Sequence, residues 1–414
     1  MTEQNTRPSI NGERPSGGVV IVGGGLAGQR CCETLRSRGF EGRIRIVADE
    51  PRPPYDRPPL SKAVLAGERS PDSLSFRSPA WYAEKEVELL TGDPAVALDP
   101  EIKTVTLGSG AILAYDQVLV ATGSRPRPLP GTESFANAHL LRTAEDAMRL
   151  RDALSPGARL VVVGAGFIGL EVAATARRLG CQVTVLEAAP SALGRVLVPE
   201  LADWFVDLHR AEGVDIRFSA HVARFGESGG GVDWVQLTDG SRFECDALVL
   251  GIGIEPATEW LEGSGLEVDG VRVDTCGRTS ATDVFAAGDS CRVFNPVSGR
   301  HERSEHWGAA ARQGAQVARG ILGIEPLPPA LPSFWTDQFG HRIQLVGNAA
   351  EGDETVIAGD PGAAEFTALL KREGTAVAAM AVDQPRSIPA LRRQIEQSTV
   401  QDEERIDSEL RTAN

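Results

Sequence analysis

The sequence predicts an α/β protein with two parallel-sheet domains followed by a smaller α+β domain. Three observations carry this. A β-branched run, VVIV at 19–22, leads into GGGLAG and a helical stretch. The same order of strand, glycine loop, helix and strand recurs at 159–187, RLVVVGAGFIGLEVAATARRLGCQVTVLE. Beyond a proline-rich junction, GIEPLPPALPS at 323–333, apolar and polar residues alternate as in antiparallel strands. A strand feeding a glycine turn and a helix is a dinucleotide-binding unit, so each copy reads as a Rossmann-like domain.

In the first unit, VVIV suits a buried parallel strand. Gly23, Gly25 and Gly28 then form GxGxxG, with Leu26 and Ala27 between the last two. These glycines permit a tight turn, close approach to a pyrophosphate and close packing of helix on strand. The helix start adds free N–H groups and a partial positive charge. The next strand, RIRIV, ends before Asp49 and Glu50, and either carboxylate can accept from ribose hydroxyls. A further apolar strand, DQVLVATG, closes on Ala121, Thr122 and Gly123.

The second unit repeats the spacing with Gly164, Gly166 and Gly169, has Phe167 and Ile168 at the helix start, and ends in Glu187. A carboxylate there binds the free hydroxyls of an NADH ribose and repels a 2′-phosphate. Ala188, Ala189 and Pro190 follow, and no arginine comes before Arg195. NADH is therefore expected over NADPH.

The 414 residues give material for two or three domains; 42% are apolar and 24% charged. A formal charge of −15 disfavours nucleic acid as a partner. No apolar run is long enough to span a bilayer. Residues 1–16 are polar, lack the apolar centre of a signal peptide and read as a disordered lead-in. The six cysteines show no CxxC and no metal-ligand spacing, so no metal is expected and a reducing cytoplasm is. Cys31 and Cys32 are adjacent, with Cα atoms about 3.8 Å apart. That is below the disulfide range, and on a helix their side chains diverge, so they read as packing residues.

The stretch YDRPPLSK at 55–62 closely resembles a signature of the oxygenase-coupled NADH-dependent ferredoxin reductases. These form a branch of the two-dinucleotide flavoproteins of the glutathione-reductase structural class. RPRPLPG, LRTAEDA, GFIGLEVAATARRLG, GIGIEP, FAAGD and FWTDQ follow in the order of that family, so the resemblance covers roughly 17–395. It implies FAD on the first loop and NADH on the second. It implies that Asp289, after Gly288 in TSATDVFAAGDS, holds a ribityl hydroxyl. It also implies a Lys62–Glu171 pair at the hydride-transfer site, with Arg57 on FAD. Arg142, Glu305, Trp307 and Trp335 join the flavin set. His306 lies among them but differs from its counterpart in the family. Gly253 joins the NADH set. The redox cysteines of disulfide reductases are missing from the matching stretches.

The resemblance implies a discontinuous FAD domain, 17–124 and 246–328, around an NAD domain, 125–245. A C-terminal α+β domain, 329–401, and a charged tail, 402–414, complete the chain. The implied partner is an acidic iron–sulfur ferredoxin, with Arg312, Arg319, Arg392 and Arg393 as candidate docking residues. The expected activity is NADH:ferredoxin reduction serving a bacterial monooxygenase or ring-hydroxylating dioxygenase. The rival readings are an NADH oxidase that reduces oxygen and an NADH-switched flavoprotein scaffold.

Overall fold

The first β-branched run forms the strand Val19–Val22, buried along its whole length. It is the central strand of a five-stranded parallel sheet ordered Val284–Ala286, Gln117–Val120, Val19–Val22, Ile44–Ala48, Val87–Thr91. The second run forms Arg159–Val163, at the centre of a second parallel sheet. That sheet is ordered Ala138–His139, Ala247–Leu250, Arg159–Val163, Gln182–Leu186, Asp215–Arg217. The two sheets share one plan, as the repeated sequence pattern requires. Strands covered on both faces need near-continuous apolar runs, and VVIV and LVVV supply them. This computed structural model describes residues 17–296 and 298–398. The predicted lead-in and charged tail lie outside these residues.

The glycine-loop helices are Leu26–Ser37 and Phe167–Arg178, each beginning just after the second glycine of its motif. Trp307–Leu322 crosses the first of them. At the crossing a Cβ on Gly314 would lie 2.1 Å from the Ala27 carbonyl oxygen, so glycine is what lets the helices approach.

The chain passes between the sheets through a two-stranded link, Ser124–Pro126 paired antiparallel with Ile254–Pro256. This corrects the predicted return to the first domain at 246. Ala247–Leu250 pairs with Arg159–Val163 and so belongs to the second sheet. The proline-marked link, not the strand before it, is where the chain crosses back.

The alternating C-terminal pattern forms a five-stranded antiparallel sheet. Its order is Ser333–Gln338, His341–Gly347, Thr375–Val382, Glu365–Arg372, Glu354–Asp360, and residues 388–398 are helical. One buried apolar cluster joins this sheet to the second domain, bringing Phe366 and Met380 together with Leu201 and Phe205. Trp204 packs edge-on against Phe366, and its indole N–H donates to the Pro361 carbonyl (3.1 Å). No helix among the described residues is long and apolar enough to cross a membrane, and no His, Cys, Asp or Glu group there could hold a metal ion.

Candidate active site between the two parallel sheets

Both glycine loops open onto one cavity of about 1220 Å³. They reach it in the same way. A Cβ on Gly23 would meet the Ala121 carbonyl at 2.1 Å, and one on Gly164 would meet the Gly251 carbonyl at 2.4 Å. Each first glycine thus lies against the next strand's end with positive φ, 127° and 107°. The third glycines, Gly28 and Gly169, press on the carbonyls of Gly23 and Gly164 and hold helix to strand. The middle glycines, Gly25 and Gly166, face open space, apart from one carbonyl 4.0 Å from where a Gly166 Cβ would be. Bare backbone at two helix starts facing one cavity is what two pyrophosphates need, so the residues present fit two dinucleotides.

All the residues expected to bind a cofactor stand on this cavity wall except Gly28, Glu50 and Gly169. The two glycines pack behind it. Glu50 lies just off the wall, where its carboxylate accepts from two residues that line it, the Tyr55 hydroxyl (2.6 Å) and the Arg57 guanidinium (2.7 Å), while Asp49 is on the wall at the strand end. Two oppositely charged groups so close in a partly buried site make a charge-assisted bond that fixes both side chains.

Glu187 is on the wall, and its two oxygens accept from the Ala165 and Ala189 amides (2.7 and 2.8 Å). It therefore braces the second glycine loop as well as facing the cavity. Asp289 accepts at Oδ2 from Ser124 (2.8 Å) and Arg142 (3.3 Å). Arg57 also donates to the Arg142 carbonyl (2.7 Å), and Thr122 to the Ala257 carbonyl (2.6 Å). The Gly288 amide donates to Gln313 (2.7 Å), which fixes the turn bearing Asp289.

The aromatic wall comes from two elements. Trp307 donates to Asp56 (2.8 Å) and meets Trp335 edge to face, with centroids 5.5 Å apart. His306 stacks on Phe334 at 4.7 Å, and burial pushes its imidazole below the usual range, which favours a neutral ring. Phe334 in turn packs on Phe167. Glu305 pairs with Arg303 (2.6 Å).

Between the loops, the Lys62 ammonium lies 2.7 Å from Glu171 Oε2, with the side chains 17% and 4% exposed. The 3₁₀ turn Pro58–Ser61, started by its prolines, delivers the lysine, and the second glycine helix delivers the glutamate. Glu171 also accepts from Ser61 and Thr336.

Residues 17–314 match the family described as pyridine nucleotide-disulphide oxidoreductase, and residues 333–412 match the family described as reductase C-terminal. The chain belongs to the pyridine nucleotide-disulphide oxidoreductases. It is 38% identical over 392 residues to the ferredoxin–NAD(+) reductase subunit of the benzene 1,2-dioxygenase system of Pseudomonas putida, covering 94% of each chain. It is 37% identical over 377 residues to putidaredoxin reductase of the same organism, covering 89% of each. Among solved structures it is similar to the covalent putidaredoxin reductase–putidaredoxin complex, with a TM-score of 0.88 and 36% identity over 91% of this chain and 92% of that one.

The family's name speaks of disulphides, yet this oxidoreductase has no cysteine among the described residues of the cavity wall. Cys31 and Cys32 are fully buried on the first helix. Burial raises the Cys31 thiol well above its usual value and pushes Cys32 up to about 12, so neither is a thiolate at neutral pH. Sequence reasoning missed Tyr55, Ser61, Ser124, Gln313 and Thr336. The first two lie inside YDRPPLSK and Thr336 inside FWTDQ, where the charged and indole side chains drew the attention.

Proposed function

We propose that this oxidoreductase takes hydride from NADH and passes electrons singly to a ferredoxin serving a bacterial monooxygenase or ring-hydroxylating dioxygenase. The observation that carries the reading is the Lys62–Glu171 pair on a cavity that both dinucleotide loops share and whose described wall holds no cysteine. Bound FAD supplies the conversion of one hydride into two separate electrons. The chain's part is to bind, orient and shield. The first loop, Asp49 and Asp289 hold FAD, and the second loop and Glu187 hold NADH. Arg57 and Lys62 present positive charge where a reduced flavin gathers negative charge. Trp307 and Trp335 form an aromatic wall beside the site.

The names of the relatives support a ferredoxin as acceptor. Arg312, Arg319, Arg392 and Arg393 are our candidates for its docking rim. Arg319 and Arg392 donate to the carbonyls of Glu325 and Leu331, which orients them without cancelling their charge. We place the reaction in the cytoplasm, where NADH is supplied and the six free cysteines stay reduced.

The test is steady-state NADH oxidation in air, with and without a two-iron ferredoxin and cytochrome c. A slow basal rate that rises steeply with ferredoxin is expected. A fast basal rate that no ferredoxin changes makes oxygen the acceptor and overturns the reading.

A further inference from the structure

The Lys62–Glu171 pair is held from three parts of the chain. Ser61 and Lys62 come from the turn after the first sheet's second strand, and Glu171 from the second glycine helix. Thr336 and Gln338, each 1% exposed, come from the first strand of the C-terminal sheet. We propose that Thr336 is a positioning residue for hydride transfer, holding the Glu171 carboxylate against Lys62, with Gln338 fixing the direction in which the Thr336 proton points. This rests on the function proposed above and adds to it a duty for the C-terminal domain.

The directions of the hydrogen bonds carry the argument. A carboxylate only accepts. Glu171 Oε2 takes the Ser61 hydroxyl (2.5 Å) and the Lys62 ammonium (2.7 Å), and Oε1 takes the Thr336 hydroxyl (2.6 Å). Thr336 has one hydroxyl proton, so once it is given to Glu171 the oxygen has only lone pairs left. Gln338 Nε2 donates to that oxygen (2.9 Å).

This order accounts for an oddity. Gln338 Oε1 is buried with no hydrogen-bond partner. Turning the amide over would put Oε1 against the Thr336 oxygen. Thr336 would then have to give its proton to Gln338 and turn lone pairs toward a carboxylate. One unpaired amide oxygen is the lesser cost when the alternative breaks a charge-assisted bond. The turn on the other side is fixed too, because Thr175 donates to the Ser61 carbonyl (2.8 Å) from the helix that bears Glu171. Among the described residues, Thr336 thus makes the hydrogen bond by which the C-terminal domain reaches Glu171.

The experiment compares wild type with Thr336→Val, which keeps the shape and removes the hydroxyl, in FAD-loaded protein. Flavin absorbance is followed anaerobically after mixing with NADH. The limiting rate is expected to fall roughly ten- to a hundredfold while its dependence on NADH concentration is unchanged, since misplacement by about 1 Å has effects of that size. Thr336→Ser restores the rate to within about twofold by returning the donor. A crystal structure of Thr336→Val is expected to show Glu171 turned from Lys62, with N···O beyond about 4 Å. A wild-type limiting rate with Glu171 unmoved overturns the proposal. If Thr336→Val fails to fold or load FAD, Gln338→Leu, which keeps the Thr336 hydroxyl but frees its direction, decides through the same two readouts. If NADH does not reduce the wild-type flavin, the proposed function falls, and the position of Glu171 in the variant crystal still tests the clamp.

Discussion

Glu187 does two things at once. Its carboxylate braces the second glycine loop through the Ala165 and Ala189 amides, and it stands on the cavity wall beside Ala188, Ala189 and Pro190. Glu187→Arg removes the brace and reverses the charge facing a ribose. The ratio of kcat/KM for NADH to that for NADPH is expected to fall by roughly tenfold or more, the worth of a hydrogen bond to a charged group. An unchanged ratio in paired initial-rate assays would remove Glu187 from cofactor selection. Residues of this kind are legible in a sequence because spacing from a glycine motif fixes where they must stand. Glu50 shows the limit of that logic. Its spacing is as good as that of Asp49, but Arg57 and Tyr55 claim its oxygens.

Among the elements, the two glycine-loop helices were readable from their first turns, since GxGxxG dictates both where the helix begins and how closely it packs. The crossing of Leu26–Ser37 by Trp307–Leu322 was not. It depends on Gly314, a glycine inside a helix, which by propensity alone is merely unfavourable. Even one methyl group there would overlap the Ala27 backbone, which has no freedom to rotate away as a side chain would. Gly314→Ala is therefore expected to destabilise the protein by roughly 3 kcal/mol and to weaken FAD retention, because the displaced helix carries the first loop. Denaturant unfolding and flavin content after gel filtration check this. An unaltered midpoint would mean that the helices part at no cost.

On the scale of the whole molecule, the C-terminal sheet shares one apolar core with the second domain, through Phe205, Leu201, Phe366 and Met380. Strands that read as a separate antiparallel unit are thus part of a common packing layer. Ending the chain at residue 328 would expose that layer to water, and large exposed apolar patches drive association. The shortened chain is expected to aggregate, while the full chain unfolds with the second and third domains in a single calorimetric transition. Two resolved transitions for those domains, or a soluble shortened chain that still binds NADH, would contradict a shared core.

The sequence by itself determined the two parallel-sheet domains, the glycine loops and the strand-end acid Glu187, while the Lys62–Glu171 pair came from the resemblance of YDRPPLSK and GFIGLE to a known family. Each is written in local spacing, or in motifs short enough to be read in one stretch. Only the tertiary structure decided which acid faces the cavity, that Ala247–Leu250 belongs to the second sheet, and that Thr336 reaches Glu171 across 165 positions of chain. Those facts depend on which donors arrive first at a shared acceptor and on where distant strands come to lie. Neither is a property of any local stretch of residues.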